Sequence, residues 1–346
     1  MAWLEARHSL LYRPKLAHDE RGLRHSTDKV RAMVLPNQVR VNQEFLEFAP
    51  CLEVIVRMQV GTDNIDLEAC QDRNIKVLQA RNANVRANAE FLLGSLLLLY
   101  RQGILEALRP APPPINAPNA PIHKIHAPAL LAGREINGST IGLLGIVPGA
   151  GVLAALLTSM GARLIGYDPA LHHSSPIWQQ LRVQPVSLVD MMSTADAVSV
   201  QMLYASRFKG FVNARVLASC KPQQLWVSIS RSALFDAAAM AQAMQDGRIG
   251  AWLTDSADDG GSRDYQLLRA LPTFYATQRI GSSTRESRQR ASWYVAHRLH
   301  DVLSPQDAHK DASGSRSMSL SLPGETSPSS WIESAPPVHT GAPPAK

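Results

Sequence analysis

Aromatic residues are scarce, at 6% of the 346 residues, and there are only three cysteines. Cys51, Cys70 and Cys220 stand far apart, which excludes a C-x-x-C redox pair, a cysteine-based metal spacing and a disulfide framework. So sparse and odd a count fits a reducing compartment. No apolar run is long enough for a membrane span. The longest, Phe91 to Tyr100, is about half of the requirement. The opening stretch MAWLEARHSLLYRPKL has Arg7 and His8 among its apolar residues and no small-residue cleavage site after it. It does not read as a signal peptide, so a cytoplasmic protein is expected. Nor is there a run of five or six like charges. The formal charge of +6 is spread along the chain, without a basic arm or recognisable module for nucleic acid, and small anions remain as partners. What is present is 45% hydrophobic and 18% charged residues, a globular composition long enough for about two domains.

Short apolar segments alternate with helical stretches, which predicts an α/β fold with parallel sheets. Strands are expected at residues 30–35, 53–57 and 76–78. Helices are expected at 42–48 and 66–73, the latter capped by Asp63 or Asn64. Residues 88–102 read as a long helix, apolar all round and therefore buried between layers. The Pro-rich stretch from Arg109 to Ala129 sustains neither helix nor central strand and reads as a linker. A second alternation follows, with strands at 139–145, 162–168, 197–201, 224–230 and 250–255. Its helices are expected at 147–160, 213–219, 236–245 and 284–303, with a further element at 188–193. From Ser304 the chain is rich in Ser, Pro and Gly, and disorder is expected.

Between a strand and a helix candidate lies Val60-Gly61-Thr62-Asp63-Asn64-Ile65-Asp66. Ala83-Asn84 and Ala89-Glu90 precede the long helix. Then come Gly133-Arg134-Glu135, the run to Gly145, Gly161 to Pro169, Lys221-Pro222, Ser230 to Asp236, Gly247-Arg248, Asp255, Leu271-Pro272 and Thr284 to Ser287. In this succession the chain resembles the D-2-hydroxyacid dehydrogenases, a phosphoglycerate dehydrogenase-like family that includes transcriptional corepressors, over about residues 30–303.

The resemblance implies two Rossmann-like α/β domains. One is a discontinuous, flavodoxin-like substrate domain, 1–108 with 286–303. After a linker, 109–132, comes a doubly wound NAD-binding domain with a parallel sheet, 133–285. A tail, 304–346, follows. It also implies a homodimer and a small anionic 2-hydroxy or 2-keto acid as ligand. The family's first strand has no clear counterpart in residues 1–29.

A dinucleotide turn needs Gly for the tight turn, for approach to the pyrophosphate, and for helix packing. Laid on the family pattern these positions are Gly145, Val147 and Ala150, of which only the first is intact. Pro148-Gly149-Ala150-Gly151 offers a shifted turn, and a helix N-terminus there still presents free N–H groups to an anion. Asp168 ends the next strand about 20 residues on, placed for an adenosine ribose and favouring NAD over NADP. Ile229, Ser230 and Asp255 complete the implied cofactor site. The plainer alternative is a Rossmann half that has lost its nucleotide, with Asp168 a loop or capping residue.

Oxidising a 2-hydroxy acid requires a cation for the carboxylate, a base for the hydroxyl proton and a hydride acceptor. The family uses Arg, His and Glu around the substrate. Arg231 matches the Arg, and its planar fork suits a carboxylate, with the backbone amides of Val60 and Gly61 completing that site. The His position is Arg279, which has no acceptor and stays protonated. The Glu position is Gly260, with Asp258 and Asp259 nearby. His172, His173, His297 and His300 lie elsewhere and read as surface or helix-face residues. A further family His-x-Pro position is Gln201-Met202-Leu203. Arg231 with Arg279 makes a strongly cationic site, apt for a dianion. The expectation is an NAD-binding member with a degenerate catalytic site, a pseudoenzyme without a metal. The competing reading is an active NAD-dependent oxidoreductase with an unassigned base.

Overall fold

The computed structural model describes residues 2–36, 38–58, 64–80, 82–107, 133–146, 148–256 and 263–304. The expected linker and all but the first residue of the expected tail lie outside the described residues. The chain forms two compact units, Met1–Ala80 with Trp293–Lys346, and Arg81–Ser292.

In the first unit three parallel strands, β1 (Ala32–Val34), β2 (Val54–Arg57) and β3 (Lys76–Gln79), lie in the order β1-β2-β3. Central β2 is buried throughout, which is why Val54-Ile55-Val56 reads as an apolar run, with Arg57 buried at its end. Ile55, Phe45, Leu46, Ile65, Cys70 and Ile75 fill the core beside it. The helices Gln43–Glu47 and Leu67–Asp72 are capped by Asn42 and Asp66, whose side chains accept from the Phe45 and Ala69 amides. Asp66 therefore replaces the expected Asn64 as cap. Asn64 instead accepts from Arg57 and donates to the Val39 carbonyl, while Asp63 lies outside the described residues.

Ahead of β1 the chain is helical, at Ala2–Glu5, Pro14–His18 and Glu20–His25. Pro14 opens the second of these and Asp19 caps the third, so no strand precedes β1 among the described residues. Among the described residues this unit's sheet has three strands. Trp3 packs against the closing helix Arg285–Leu303, 4.7 Å from the His297 ring and 5.3 Å from that of His300. His8 and His300 share a hydrogen bond of 3.0 Å.

The second unit is built on seven parallel strands: β4 (Thr140–Leu144), β5 (Arg163–Tyr167), β6 (Gln184–Pro185), β7 (Ala197–Val200), β8 (Gln224–Ser228), β9 (Ile249–Thr254) and β10 (Phe274–Ala276). Their order is β10-β9-β8-β7-β4-β5-β6, so the winding direction reverses between β4 and β7. Both faces of the sheet are covered. Leu92, Leu96 and Leu99 of the helix Val85–Tyr100, with Leu153 and Leu157 of Pro148–Ser159, pack against Leu143, Val227 and Leu253. Met191, Met240 and Met244 cover Leu144, Val198 and Trp226 on the other face. This packing places the helix Val85–Tyr100 in the second unit, so the units divide at 80/81 and 292/293 and not at the expected 108 and 286. That helix is not apolar all round in use, since Leu97 is 39% exposed. The edge strands β6 and β10 were missed by the apolar pattern because they are two and three residues long, and Pro185 is tolerated only at an edge.

Asp196 ties the entry of β7 to its neighbours. It accepts from Lys221 Nζ at 2.6 Å, Arg134 Nη2 at 3.0 Å and the Thr140 amide at 2.9 Å. Burial pushes its carboxyl up, but Lys221, the Thr140 amide and Arg134 outweigh this and hold it at about 2, against 3.8. A depressed folded-state value means stability that is complete above the unfolded value and is lost as pH falls toward 2. Asp196→Ala is expected to cost about 2–3 kcal/mol at pH 7. The deficit should shrink by roughly half between pH 5 and pH 3, as followed by urea denaturation. A deficit independent of pH would contradict the ion-pair account.

Candidate functional site

Open parallel sheets bind ligands at the carboxyl ends of their strands, beside the switch point. Here that point lies between β4 and β7. Gly145 follows β4 with φ +93°, and a Cβ on it would stand 2.5 Å from Met202 Cα and 2.6 Å from Met202 N. Only glycine fits a turn pressed this closely onto the next strand's exit. The Gln201 amide donates to Leu144 O at 2.9 Å and the Gly145 amide to Tyr167 O at 2.9 Å, fastening the turn on both sides.

The helix Pro148–Ser159 starts two residues beyond Ile146. Ala150 is fully buried beside Leu153 and Ala154, so its methyl group is part of the helix–sheet packing at the third fingerprint position. A Cβ on Gly149 would stand 3.9 Å from Val85 O, at ordinary contact distance. Val147, the substituted phosphate-approach position, lies outside the described residues.

Asp168 follows β5. Its Oδ2 accepts from the Ile146 amide at 2.6 Å and its Oδ1 from the Ala170 amide at 2.8 Å. The carboxylate is thus held beside the Gly145 turn. Each oxygen keeps acceptor capacity, because a carboxylate offers about four lone-pair sites. A capping role and a ribose contact are therefore compatible, and the turn, the helix start and Asp168 together fit the adenosine half of a dinucleotide.

Farther along the edge, Ile229 packs partly buried against the core. Buried Ser230 donates its hydroxyl to Met202 O at 2.8 Å, locking the exit of β8 to that of β7. Arg231 is half-buried at the start of the short turn Ser232–Leu234, its guanidinium 5.9 Å from the Tyr204 ring centre, within cation–π range. Asp255, buried at the end of β9, accepts from the Thr277 hydroxyl at 2.5 Å and from the Ile280 and Gly281 amides at 2.8 Å each. Arg279 lies between those donors, exposed, with φ +54°.

Arg231, Asp255 and Arg279 therefore follow three neighbouring strands at one edge of the sheet, with Gly145 and Asp168 on the far side of the switch point. Gly260, Asp258, Asp259, Val60 and Gly61 lie outside the described residues. Among the other histidines, His172 bonds locally to Ser174, while His297 and His300 face Trp3 in the first unit. Sequence patterns do not mark Thr277 and Tyr204, whose contacts with Asp255 and Arg231 join segments far apart in the chain. Buried Gln201, at the His-x-Pro position, has an Nε2 without a hydrogen-bond partner among the described residues. No helix is long and apolar enough to cross a membrane among the described residues.

Residues 119–281 match the family model described as D-isomer specific 2-hydroxyacid dehydrogenase, NAD binding domain. The chain is 28% identical over 303 residues to the (S)-sulfolactate dehydrogenase of Chromohalobacter salexigens, covering 88% of this chain and 94% of that one. It is 30% identical over 273 residues to the D-3-phosphoglycerate dehydrogenase of Mycobacterium leprae, covering 79% of this chain but only 49% of that longer protein. Among solved structures, the holo form of the Rhodotorula graminis D-mandelate dehydrogenase superposes with a TM-score of 0.74 at 19% identity, covering 87% of this chain and 89% of that one. The apo D-lactate dehydrogenase of Escherichia coli gives a TM-score of 0.66 at 21% identity, covering 86% and 88%. These two likenesses are likenesses of fold.

Proposed function

The chain belongs to the D-isomer specific 2-hydroxyacid dehydrogenase family, and from that premise we propose that it binds NAD and a small anionic 2-hydroxy or 2-keto acid while transferring hydride poorly or not at all. Gly145, the N-terminus of the helix Pro148–Ser159 and Asp168 would hold the nucleotide, and bound NAD supplies a hydride acceptor or donor. Arg231 anchors the substrate carboxylate with its planar fork. The observation that carries the reading is at the base position. Arg279 has a guanidinium there, which neither accepts a proton nor loses one at neutral pH. With Gly260 in place of the acidic partner, no imidazole–carboxylate pair exists at the family positions. A homodimer in the cytoplasm belongs to the same proposal.

The test is a titration of the purified protein with NADH, followed by nucleotide fluorescence and by melting temperature. Saturable binding is expected. Asp168→Ala should weaken it by about 1–3 kcal/mol, or roughly 5- to 150-fold, by removing the acceptor for the ribose hydroxyls and releasing the Ile146 amide. Val147→Gly should strengthen it. No response up to millimolar NADH would overturn the proposal.

A further inference from the structure

We infer that Asp255 is a positioning residue, holding the 277–281 loop so that Arg279 anchors a second acidic group on the ligand and the site takes a dianionic 2-hydroxy or 2-keto acid. This rests on the proposed reading of the strand edge as the acid-binding site.

The chain leaves β10 in register with β9, Ala276 opposite Thr254, and the Thr277 amide extends the ladder by one bond to Thr254 O at 2.9 Å. It then turns through Arg279, whose left-handed backbone (φ +54°) is unfavourable for a residue with a side chain. A cost of about 1–2 kcal/mol persists only where neighbouring bonds fix the turn. Asp255 supplies those bonds. It takes the Thr277 hydroxyl on one side of Arg279, and the Ile280 and Gly281 amides on the other.

Gly281 makes the approach possible, since a Cβ there would stand 2.8 Å from Asp255 Oδ2 and 2.8 Å from Phe91 Cγ. The clamp is buried, whereas Gln278, Arg279 and Ile280 are exposed above it. The loop's backbone is thus fixed before any ligand arrives, which lowers the ordering cost of a salt bridge from Arg279.

One cation therefore stands at the end of β8 and a second, on a braced backbone, at the end of β10. A lone carboxylate occupies one of them. A 2-hydroxy acid with a sulfonate, phosphate or further carboxylate on the adjoining carbon offers an oxyanion to each. Sulfolactate and phosphoglycerate, for which two relatives are named, both have that chemistry.

The experiment is calorimetry of the full-length protein with 3-sulfolactate and with D-lactate, which share the 2-hydroxycarboxylate and differ in the second acidic group. Sulfolactate is expected to bind at least tenfold tighter. Arg279→Ala should remove the preference, and Asp255→Ala should reduce the ratio of sulfolactate to lactate affinity at least fivefold. Thr277→Val should reduce it in part, while Thr277→Ser, which keeps the hydroxyl donor, should retain it. A purely structural role would change melting temperature and both affinities together, leaving their ratio intact.

Equal affinity of the wild type for the two ligands overturns the second anchor, and saturable NADH binding in the same preparation would leave the broader reading standing. A preference that survives in a folded Asp255→Ala variant overturns the positioning role. If that variant does not fold, a preference unchanged in Thr277→Val does the same.

Discussion

Replacing Gly145 by alanine is expected to destabilise the protein by about 2–4 kcal/mol and to abolish saturable NADH binding. Two costs add. The backbone there has φ +93°, and the new methyl group would meet the Met202 backbone at 2.5–2.6 Å. Main chain cannot swing aside as a flexible side chain can, so relief requires the exits of β4 and β7 to separate. That separation would pull on the Gln201 to Leu144 bond and on the Ile146 amide held by Asp168. Gly138 is the control. Its φ is +75°, but nothing lies within 4 Å of a Cβ, so Gly138→Ala should cost only about 1–2 kcal/mol and leave NADH binding intact. Urea denaturation gives the stabilities and nucleotide fluorescence the binding. A Gly145→Ala variant as stable as Gly138→Ala would show that the turn is not pressed against Met202.

The second large effect concerns turnover. The unmodified protein is expected to oxidise NADH with pyruvate, glyoxylate, hydroxypyruvate or 2-oxoglutarate at a rate lower by 10²–10⁴-fold or more than a general base would allow. Arg279→His with Gly260→Glu should raise the rate more than the two single changes combined, because an unoriented imidazole is a poor base and a carboxylate without one does nothing. Histidine is among the residues that tolerate the left-handed backbone found at position 279, so the loop bonds to Asp255 can survive the exchange. Wild-type turnover in the range of about 1–10³ s⁻¹ usual for enzymes would remove the non-catalytic reading.

Much of the fold was legible because buried parallel strands are rich in apolar residues. β2, β4, β7 and β8 are buried at every position, and each carries a short apolar core even though Arg57, Thr140, Ser199, Gln224 and Ser228 are buried with it. The edge strands carry no such requirement. β6 ends in Pro185, and β10 passes from buried to exposed over its three residues. The cap of the helix Leu67–Asp72 was misplaced by two residues or more, because Asp63, Asn64 and Asp66 are chemically equivalent candidates. What selects Asp66 is the engagement of Asn64 by Arg57 and Val39, a contact from elsewhere in the unit.

By itself the sequence determined the chemistry available: a cation at 231, another at 279 where a base would serve, glycine at 145 and a carboxylate at 168. It also determined the alternation that brings all four to strand ends, since hydrophobic periodicity and the winding of a parallel sheet are local properties. Only the tertiary structure decided what each group is committed to. Asp255 read as a cofactor ligand, and its acceptors serve a loop 22 to 26 residues away. Ser230 gives its hydroxyl to Met202, 28 residues back. The helix Val85–Tyr100 joined the second unit although its sequence precedes the Pro-rich segment. Hydrogen-bond donors and acceptors are few and directional, so their use is settled by which backbone amides the fold delivers within 3 Å, and no local pattern records that.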